Sequence, residues 1–300
     1  MRTTARRWRA VASALLLAAS ARPSEAQPFV EQRFNGPVVP INYVDAGKGP
    51  PIVLLHGDSQ NWRVWEQNGM LADLARDYRV IAIDLRGRGK SGKPHDPAAY
   101  DQQLPEDVIA LLDHLRIKRA HVLGYSYGAH VTVELLTRHA DRVITAILGG
   151  AAGRISVTDA LLQQYELEAR ERDTDCRSRS QVNRLSPPGS PPLSDSLFQV
   201  MRAACFADPL MDSKALAASS RGSSRHPITE AQVRAITTVP LLGVVGTEDP
   251  FLPDFQKFVR WNPALVLVTI EGGTHGSVQL QSAPLLAAVR TWLGVYRQKP

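Results

Sequence analysis

Three residues whose side chains can carry out acyl-transfer chemistry occur along the chain in the order Ser126, Asp249 and His275. A serine hydroxyl is a weak nucleophile, and it needs an imidazole that takes up its proton and later returns it to the leaving group. The imidazole needs a carboxylate that fixes its tautomer and stabilises its protonated form. We therefore predict that Ser126 is the nucleophile, that His275 is the base and acid, and that Asp249 orients the histidine.

Ser126 is the centre of a G-x-S-x-G motif, Gly124-Tyr125-Ser126-Tyr127-Gly128. The apolar run at residues 120–123 is typical of a buried strand, and the apolar spacing over residues 129–139 predicts a helix. A serine on a sharp turn from a strand into a helix is strained, which lifts its hydroxyl clear of the sheet, and the two glycines leave room for the turn. A chance match in a loop is the alternative, and this strand–turn–helix setting argues against it.

Asp249 and His275 each follow a predicted strand, as Ser126 does. Open sheets of parallel strands place their sites at the carboxyl ends of the strands, so we expect the three side chains to meet there. Of the eight histidines, only His275 lies in a glycine-flanked loop after the last predicted strand. Glu248, which directly precedes Asp249, is the alternative carboxylate.

Strands and helices alternate through most of the chain, a pattern that predicts a mostly parallel sheet flanked by helices. The predicted strands cover residues 30–33, 38–44, 51–55, 79–83, 120–123, 143–148, 239–245 and 264–270, and the predicted helices include 62–77, 103–115, 129–139 and 284–296.

From about residue 51 onward the sequence resembles the α/β-hydrolase superfamily, in its serine hydrolase branch of esterases and lipases. The resemblance rests on the G-x-S-x-G motif, on the order Ser126, Asp249, His275, and on His56-Gly57-Asp58 after a predicted strand. It implies an α/β fold with a mostly parallel central sheet, flanking helices and an inserted helical cap. It also implies an oxyanion hole formed by the backbone N–H groups of Asp58 and Tyr127.

The side chain of Asp58 is unexpected beside an oxyanion hole, because a carboxylate there would oppose the negative charge that develops on the substrate. We therefore expect this side chain to point away from the site or to pair with a cation.

The sequence divides into four segments: a secretory signal peptide at 1–26, a first core segment at 27–150, a cap at 151–238 and a second core segment at 239–300. The cap is assigned where charged helical stretches, such as 159–172, alternate with the proline-rich run 186–192. Its charges are interpreted as the solvated surface of a lid.

The first 26 residues have the order of a secretory signal, with a basic start, an apolar stretch at 11–21 and Ser24-Glu25-Ala26 before a cleavage site at Gln27. We therefore expect a secreted or periplasmic protein. The apolar stretch is shorter than the about 20 residues that span a bilayer, so no stable membrane anchor is expected.

An oxidising compartment would also allow a disulfide between Cys176 and Cys205, with two separate thiols as the alternative.

The overall net charge of +6 does not indicate a nucleic-acid surface, because four of these charges belong to residues 1–26.

A G-x-G-x-x-G pattern is formed by Gly87, Gly89 and Gly92, but the prolines that follow prevent the helix that a dinucleotide site needs. Gly89-Lys90-Ser91 lacks the earlier glycine of a phosphate loop. We predict no cofactor and no metal, and a small-molecule substrate as partner; the oligomeric state stays open.

The function that these residues predict is that of an exported serine hydrolase that cleaves carboxylic esters through an acyl-enzyme intermediate. Amidase, peptidase, C–C bond hydrolase and perhydrolase chemistry on the same three residues are alternatives, as is a ligand-binding homologue without turnover. Haloalkane dehalogenases and epoxide hydrolases of this fold carry Asp at the position of Ser126, so the resemblance excludes those branches.

Overall fold

The structure is a computed structural model that describes residues 29–100, 102–222 and 226–297. The predicted signal peptide and its cleavage site before Gln27 lie outside the described residues. Eight strands form one sheet: β1 Glu31–Asn35, β2 Pro40–Ala46, β3 Pro51–Leu55, β4 Arg79–Ile83, β5 Ala120–Tyr125, β6 Val143–Gly149, β7 Leu241–Gly246 and β8 Leu265–Ile270.

The strands lie in the order β1-β2-β4-β3-β5-β6-β7-β8 across the sheet. The pairs β1–β2 and β2–β4 are antiparallel, and every pair from β4 to β8 across the sheet is parallel. Strand β5 is buried along its whole length, because helices cover both faces of a parallel sheet. The predicted fold class, a mostly parallel sheet flanked by helices, is confirmed.

Twelve α-helices accompany the sheet in the described residues. They are α1 Arg63–Gln67, α2 Met70–Leu74, α3 Gln103–His114, α4 Tyr127–His139, α5 Asp159–Asp175, α6 Arg179–Leu185, α7 Asp195–Ala207, α8 Ser213–Gly222, α9 Glu230–Ala235, α10 Leu252–Trp261, α11 Ser277–Leu280 and α12 Ala283–Val295. Helices α3, α4 and α10 bury apolar side chains against one face of the sheet, and α1, α2 and α12 against the other.

The prediction of a single helix over residues 62–77 is wrong, because the chain forms the two short helices α1 and α2 instead. Gly69 separates them with a φ of 78°, a left-handed conformation that an α-helix cannot contain and that glycine adopts without steric cost. The two helices still bury Trp65, Met70 and Leu71 against the sheet, which is why the apolar pattern resembled that of one continuous helix.

The chain between β6 and β7, here called the insertion (residues 151–238), contains α5 to α9. The proline-rich run 186–192 forms no helix or strand. Cys176, directly after α5, and Cys205 in α7 form a disulfide bond, with their Cα atoms 6.0 Å apart. The disulfide that the sequence left open is therefore present in the structure.

Candidate active site

Ser126, His275 and Asp249 follow β5, β8 and β7 at the carboxyl edge of the sheet, and His275 contacts both other residues. His275 Nδ1 lies 3.0 Å from Asp249 Oδ2, and His275 Nε2 lies 2.8 Å from Ser126 Oγ. A carboxylate can only accept a hydrogen bond, so Nδ1 carries the proton and Nε2 accepts from the serine hydroxyl. This arrangement orients an imidazole lone pair towards the hydroxyl that it would deprotonate.

The backbone around Ser126 explains the two glycines of the motif. Ser126 has φ 52° and ψ −110°, an unfavourable conformation for a residue with a Cβ, and α4 begins directly after it. A Cβ on Gly124 would collide with the carbonyl oxygen of Gly128, and one on Gly128 would collide with the carbonyl oxygen of Leu55. The strand and the helix can therefore approach closely enough for this turn only with glycine at both positions.

Asp249 and Glu248 differ sharply in their surroundings. Asp249 is 2% exposed, and its second carboxylate oxygen accepts a hydrogen bond of 2.9 Å from the backbone N–H of Phe251. Glu248 is exposed to solvent. Burial in a turn that follows β7 thus selects Asp249 as the partner of His275.

Two aromatic residues hold His275 in place. The Tyr125 hydroxyl donates a hydrogen bond of 2.6 Å to the His275 carbonyl oxygen, and the Phe251 ring lies 5.3 Å from the imidazole, measured between centroids. Tyr125 precedes Ser126, so the same strand end fixes both the serine and the backbone of the histidine.

The loop after β3 (residues 56–59, here the β3 loop) and the N-terminus of α4 carry the two predicted oxyanion donors, Asp58 and Tyr127. The Gly57 N–H donates to the side chain of Gln60 over 2.9 Å, which fixes the loop. The Asp58 carboxylate pairs with Arg88 over 2.5 Å and with Arg172. Of the two arrangements expected for this side chain, pointing away or pairing with a cation, the structure shows the pairing.

A pocket of about 520 Å³, part of it open to solvent, lies above Ser126. The core lines it with Asp58, Arg88, Tyr127, His130 and Phe251 as well as with the serine itself. The insertion lines it with Arg154, Tyr165, Glu168, Gln181, Arg184, Leu185, Ser219 and Ser220.

Buried polar contacts hold the glycine-rich stretch after β4 in place. The Asp84 carboxylate accepts hydrogen bonds from the backbone N–H groups of Trp62 and Lys90, and Arg86 forms a buried two-point ion pair with Asp107. These contacts hold the segment that carries Arg88 beneath the pocket. In the described part of the chain, His, Cys, Asp and Glu side chains form no cluster of three or more that could hold a metal ion.

Sequence reasoning did not identify Arg88, Arg172, Tyr125 or Phe251 as parts of this site. Arg88 lies in a loop for which the sequence analysis only rejected nucleotide-binding motifs, and Arg172 lies in a charged helix that was interpreted as solvated. The one available signal was Asp58, whose carboxylate needed a cation that the sequence could not name.

The chain belongs to the alpha/beta hydrolase family, whose model matches residues 52–289. It is 35% identical over 119 residues to a 2-hydroxymuconate semialdehyde hydrolase of Pseudomonas sp. (strain CF600). The aligned stretch covers 37% of this chain and 40% of that protein. It is 40% identical over 92 residues to a soluble epoxide hydrolase of Corynebacterium sp. (strain C12), and this stretch covers 30% of this chain and 31% of that protein. These matches cover less than half of either relative.

Solved structures show the same fold over most of the chain. An esterase of Thermogutta terrifontis has a TM-score of 0.72 and 21% identity, and covers 90% of this chain and 100% of its own. The enol-lactonase of Burkholderia xenovorans LB400 has a TM-score of 0.70 and 22% identity, and covers 88% of this chain and 100% of its own. The family model confirms the resemblance to the hydrolase superfamily, and the solved structures confirm the fold class.

Proposed function

We propose that this protein is an exported serine hydrolase that cleaves carboxylic esters of small molecules. The observation that carries the proposal is the chain of hydrogen bonds from Ser126 Oγ through His275 to the buried Asp249 carboxylate. That arrangement is suited to activating a hydroxyl group as a nucleophile and to storing its proton for the leaving group.

In the proposed reaction, His275 Nε2 takes the proton of Ser126 as the serine oxygen attacks the ester carbonyl carbon. The negative charge on the carbonyl oxygen is stabilised by the backbone N–H groups of Asp58 and Tyr127, which are fixed before that charge develops. The imidazolium, stabilised by Asp249, then protonates the departing alcohol and leaves an acyl group on Ser126. A water molecule, deprotonated by His275, attacks the acyl-enzyme and releases the acid and the free serine.

Serine at the centre of the motif supports acyl transfer over epoxide opening, despite the similarity to an epoxide hydrolase. A second candidate is C–C bond hydrolysis on the same three residues, which the similarity to a 2-hydroxymuconate semialdehyde hydrolase favours. Ester cleavage is the leading proposal because Ser126, His275, Asp249 and the two proposed backbone donors suffice for it, with no acid besides His275.

We also propose that the insertion acts as a cap that determines which acyl groups fit. It supplies eight of the side chains around the pocket, among them Arg154, Arg184 and Glu168. The charged groups among them are paired, Arg184 with Glu168 and Arg154 with Glu134, so the pocket presents apolar as well as polar surface, and its limited size favours short acyl groups over long alkyl chains.

The test is covalent labelling with a fluorophosphonate, followed by turnover of p-nitrophenyl esters of increasing acyl length. We expect labelling at Ser126, confirmed by peptide mass, and the highest kcat/KM with short acyl chains. The control variant, Ser126→Ala, is expected to lose labelling and to lose turnover by on the order of 10⁴–10⁶-fold with an unchanged melting temperature. A variant that keeps more than a tenth of the wild-type rate would place the nucleophile elsewhere.

The second candidate is tested by incubating the same protein with 2-hydroxy-6-oxo-6-(2'-aminophenyl)hexa-2,4-dienoic acid, the substrate in the name of another similar hydrolase. Faster cleavage of this acid than of any ester, lost in Ser126→Ala, would replace the ester proposal by C–C bond hydrolysis. Labelling without cleavage of the acid would leave ester hydrolysis in place.

A further inference from the structure

The Asp58 side chain connects the β3 loop to the insertion. One carboxylate oxygen accepts from Arg88 Nη2 over 2.5 Å, and this arginine belongs to the core. The other oxygen accepts from Arg172 on α5 and, over 2.9 Å, from Gln181 Nε2 on α6. The residue predicted to supply an oxyanion donor is thus held from both sides, by the core and by the insertion.

Arg172 connects several parts of the insertion to that carboxylate. Its side chain is 1% exposed. Nη1 donates to the Leu216 carbonyl oxygen and to Ser220 Oγ, both at 3.2 Å on α8, and Nη2 donates to Gln181 Oε1 at 2.6 Å as well as to Asp58. A single buried guanidinium therefore joins α5, α6 and α8 to the β3 loop.

The cluster also removes the electrostatic disadvantage of Asp58. Burial raises the pKa of its carboxyl group, but the guanidinium groups of Arg172 and Arg88 outweigh burial and hold the pKa well below its usual value. Asp58 is therefore ionised at neutral pH, and two cations surround one anion. Arg88 also lies 4.1 Å from the ring centroid of Tyr127, the residue of the other predicted donor.

We propose that Arg172 is a positioning residue for the reaction: through Asp58 it fixes the backbone N–H of the β3 loop at the oxyanion position. The insertion then controls stabilisation of the transition state as well as the fit of the substrate. This inference rests on the proposed serine hydrolase function. Its physical reason is that an oxyanion donor acts only when its position is fixed, and a displacement of about 1 Å can cost about 10²-fold in rate.

The first test compares Arg172→Met with Arg170→Met, a matched control on the same helix whose arginine is 73% exposed and pairs with Glu166. Rates are divided by the number of sites that fluorophosphonate labels to completion, so that misfolded molecules do not contribute. We expect Arg172→Met to lower kcat by about 10- to 100-fold and KM to change less than about threefold. The second-order labelling rate of Ser126 should fall with kcat, and Arg170→Met should match the wild type in each measurement.

A double-mutant comparison tests whether the effect passes through Asp58. In an Asp58→Asn background, Arg172→Met is expected to lower kcat and the labelling rate by less than about threefold, because the connection is already broken. An equal effect of Arg172→Met in both backgrounds would overturn the proposed route. If Arg172→Met alone keeps a kcat per labelled site within twofold of the wild type, the positioning role is also overturned. If Arg172→Met changes KM alone, the insertion acts only on the fit of the substrate.

A failure of the proposed ester hydrolase function can be distinguished from a failure of the proposed role of Arg172. A wild-type protein that labels at Ser126 but cleaves no ester overturns ester hydrolysis alone, and the labelling rates of the variants still decide the role of Arg172. A wild-type protein that neither labels nor cleaves an ester overturns both proposals.

Discussion

At the scale of single residues, the turn after β7 presents two adjacent carboxylates, of which only Asp249 contacts His275. Asp249→Asn is expected to lower kcat by about 10⁴-fold, because the amide no longer holds the imidazole in the tautomer that accepts from Ser126. Glu248→Gln is the matched control and should change kcat by less than twofold, since Glu248 is exposed. Ester turnover with both variants measures the difference, and a larger loss in Glu248→Gln would assign the acid to Glu248.

Buried histidines give the protein a predictable pH dependence of stability. Burial lowers the pKa of both His56 and His121 from 6.5 to about 4. Both rings are neutral at pH 7 and are hydrogen-bonded. His56 Nε2 accepts from the Leu85 N–H over 3.1 Å, and His121 Nδ1 lies 2.8 Å from Thr145 Oγ1.

Between pH 6.5 and 4 the unfolded chain binds protons at these histidines and the folded chain does not. The stabilising contribution is therefore complete above pH 6.5 and is lost as the pH falls towards 4. We expect the free energy of unfolding to fall by about 1.4 kcal/mol per pH unit for each histidine within this window. Denaturant titrations between pH 4 and 8 measure the slope, and His121→Gln should reduce it by the share of one histidine. A slope unchanged by that substitution would contradict the assignment.

At the scale of elements, we expect α7 to depend on the disulfide for its attachment to α5. It buries only Phe198 and Cys205, and its ion pairs, Arg179–Asp195 and Arg202–Asp175, are partly exposed. Exposed ion pairs contribute little stability, whereas a bond between cysteines 29 residues apart restricts the unfolded chain considerably.

Replacing both Cys176 and Cys205 by Ser is expected to lower the free energy of unfolding by about 3–4 kcal/mol. Hydrogen exchange should show the largest loss of protection in α7. Dithiothreitol should reproduce the effect in the wild type and leave the double variant unchanged, which separates the bond from other effects of the substitutions. Equal stability with and without the bond would mean that packing alone holds α7.

At the scale of the whole molecule, we propose that the protein is exported and loses residues 1–26. The basic and apolar order of those residues motivates the proposal, and the disulfide is compatible with an oxidising compartment. Among the described residues, no helix combines the length and apolar character that crossing a bilayer requires.

Expression in a bacterial host with a secretion system should yield a mature chain that begins at Gln27, with a mass that includes the disulfide. Intact-mass analysis of the periplasmic or culture fraction measures both features. Recovery of the full 300-residue chain with free thiols from the cytosol would contradict export.

The sequence by itself determined the elements whose signal is local. The run from β5 through Ser126 into α4 was recognisable because the strand, the glycines and the helix are adjacent in the chain. His275 was recognisable for the same reason, from its glycine-flanked loop after the last strand. The break at Gly69 was also local, but the apolar spacing of α1 and α2 is compatible with one helix, so that prediction failed.

Outside the predicted set of Ser126, Asp249 and His275, only the tertiary structure decided which distant residues meet. Arg172 lies 114 positions after Asp58, and nothing in its charged helix distinguishes it from a solvated neighbour such as Arg170. Its burial follows from how α5, α6 and α8 pack over the β3 loop. Likewise, the choice between Asp249 and Glu248 as the partner of His275 depends on the turn, which buries Asp249 and leaves Glu248 exposed. Chain periodicity specifies the faces of elements, whereas partners across the fold depend on packing, which brings together residues that the sequence leaves far apart.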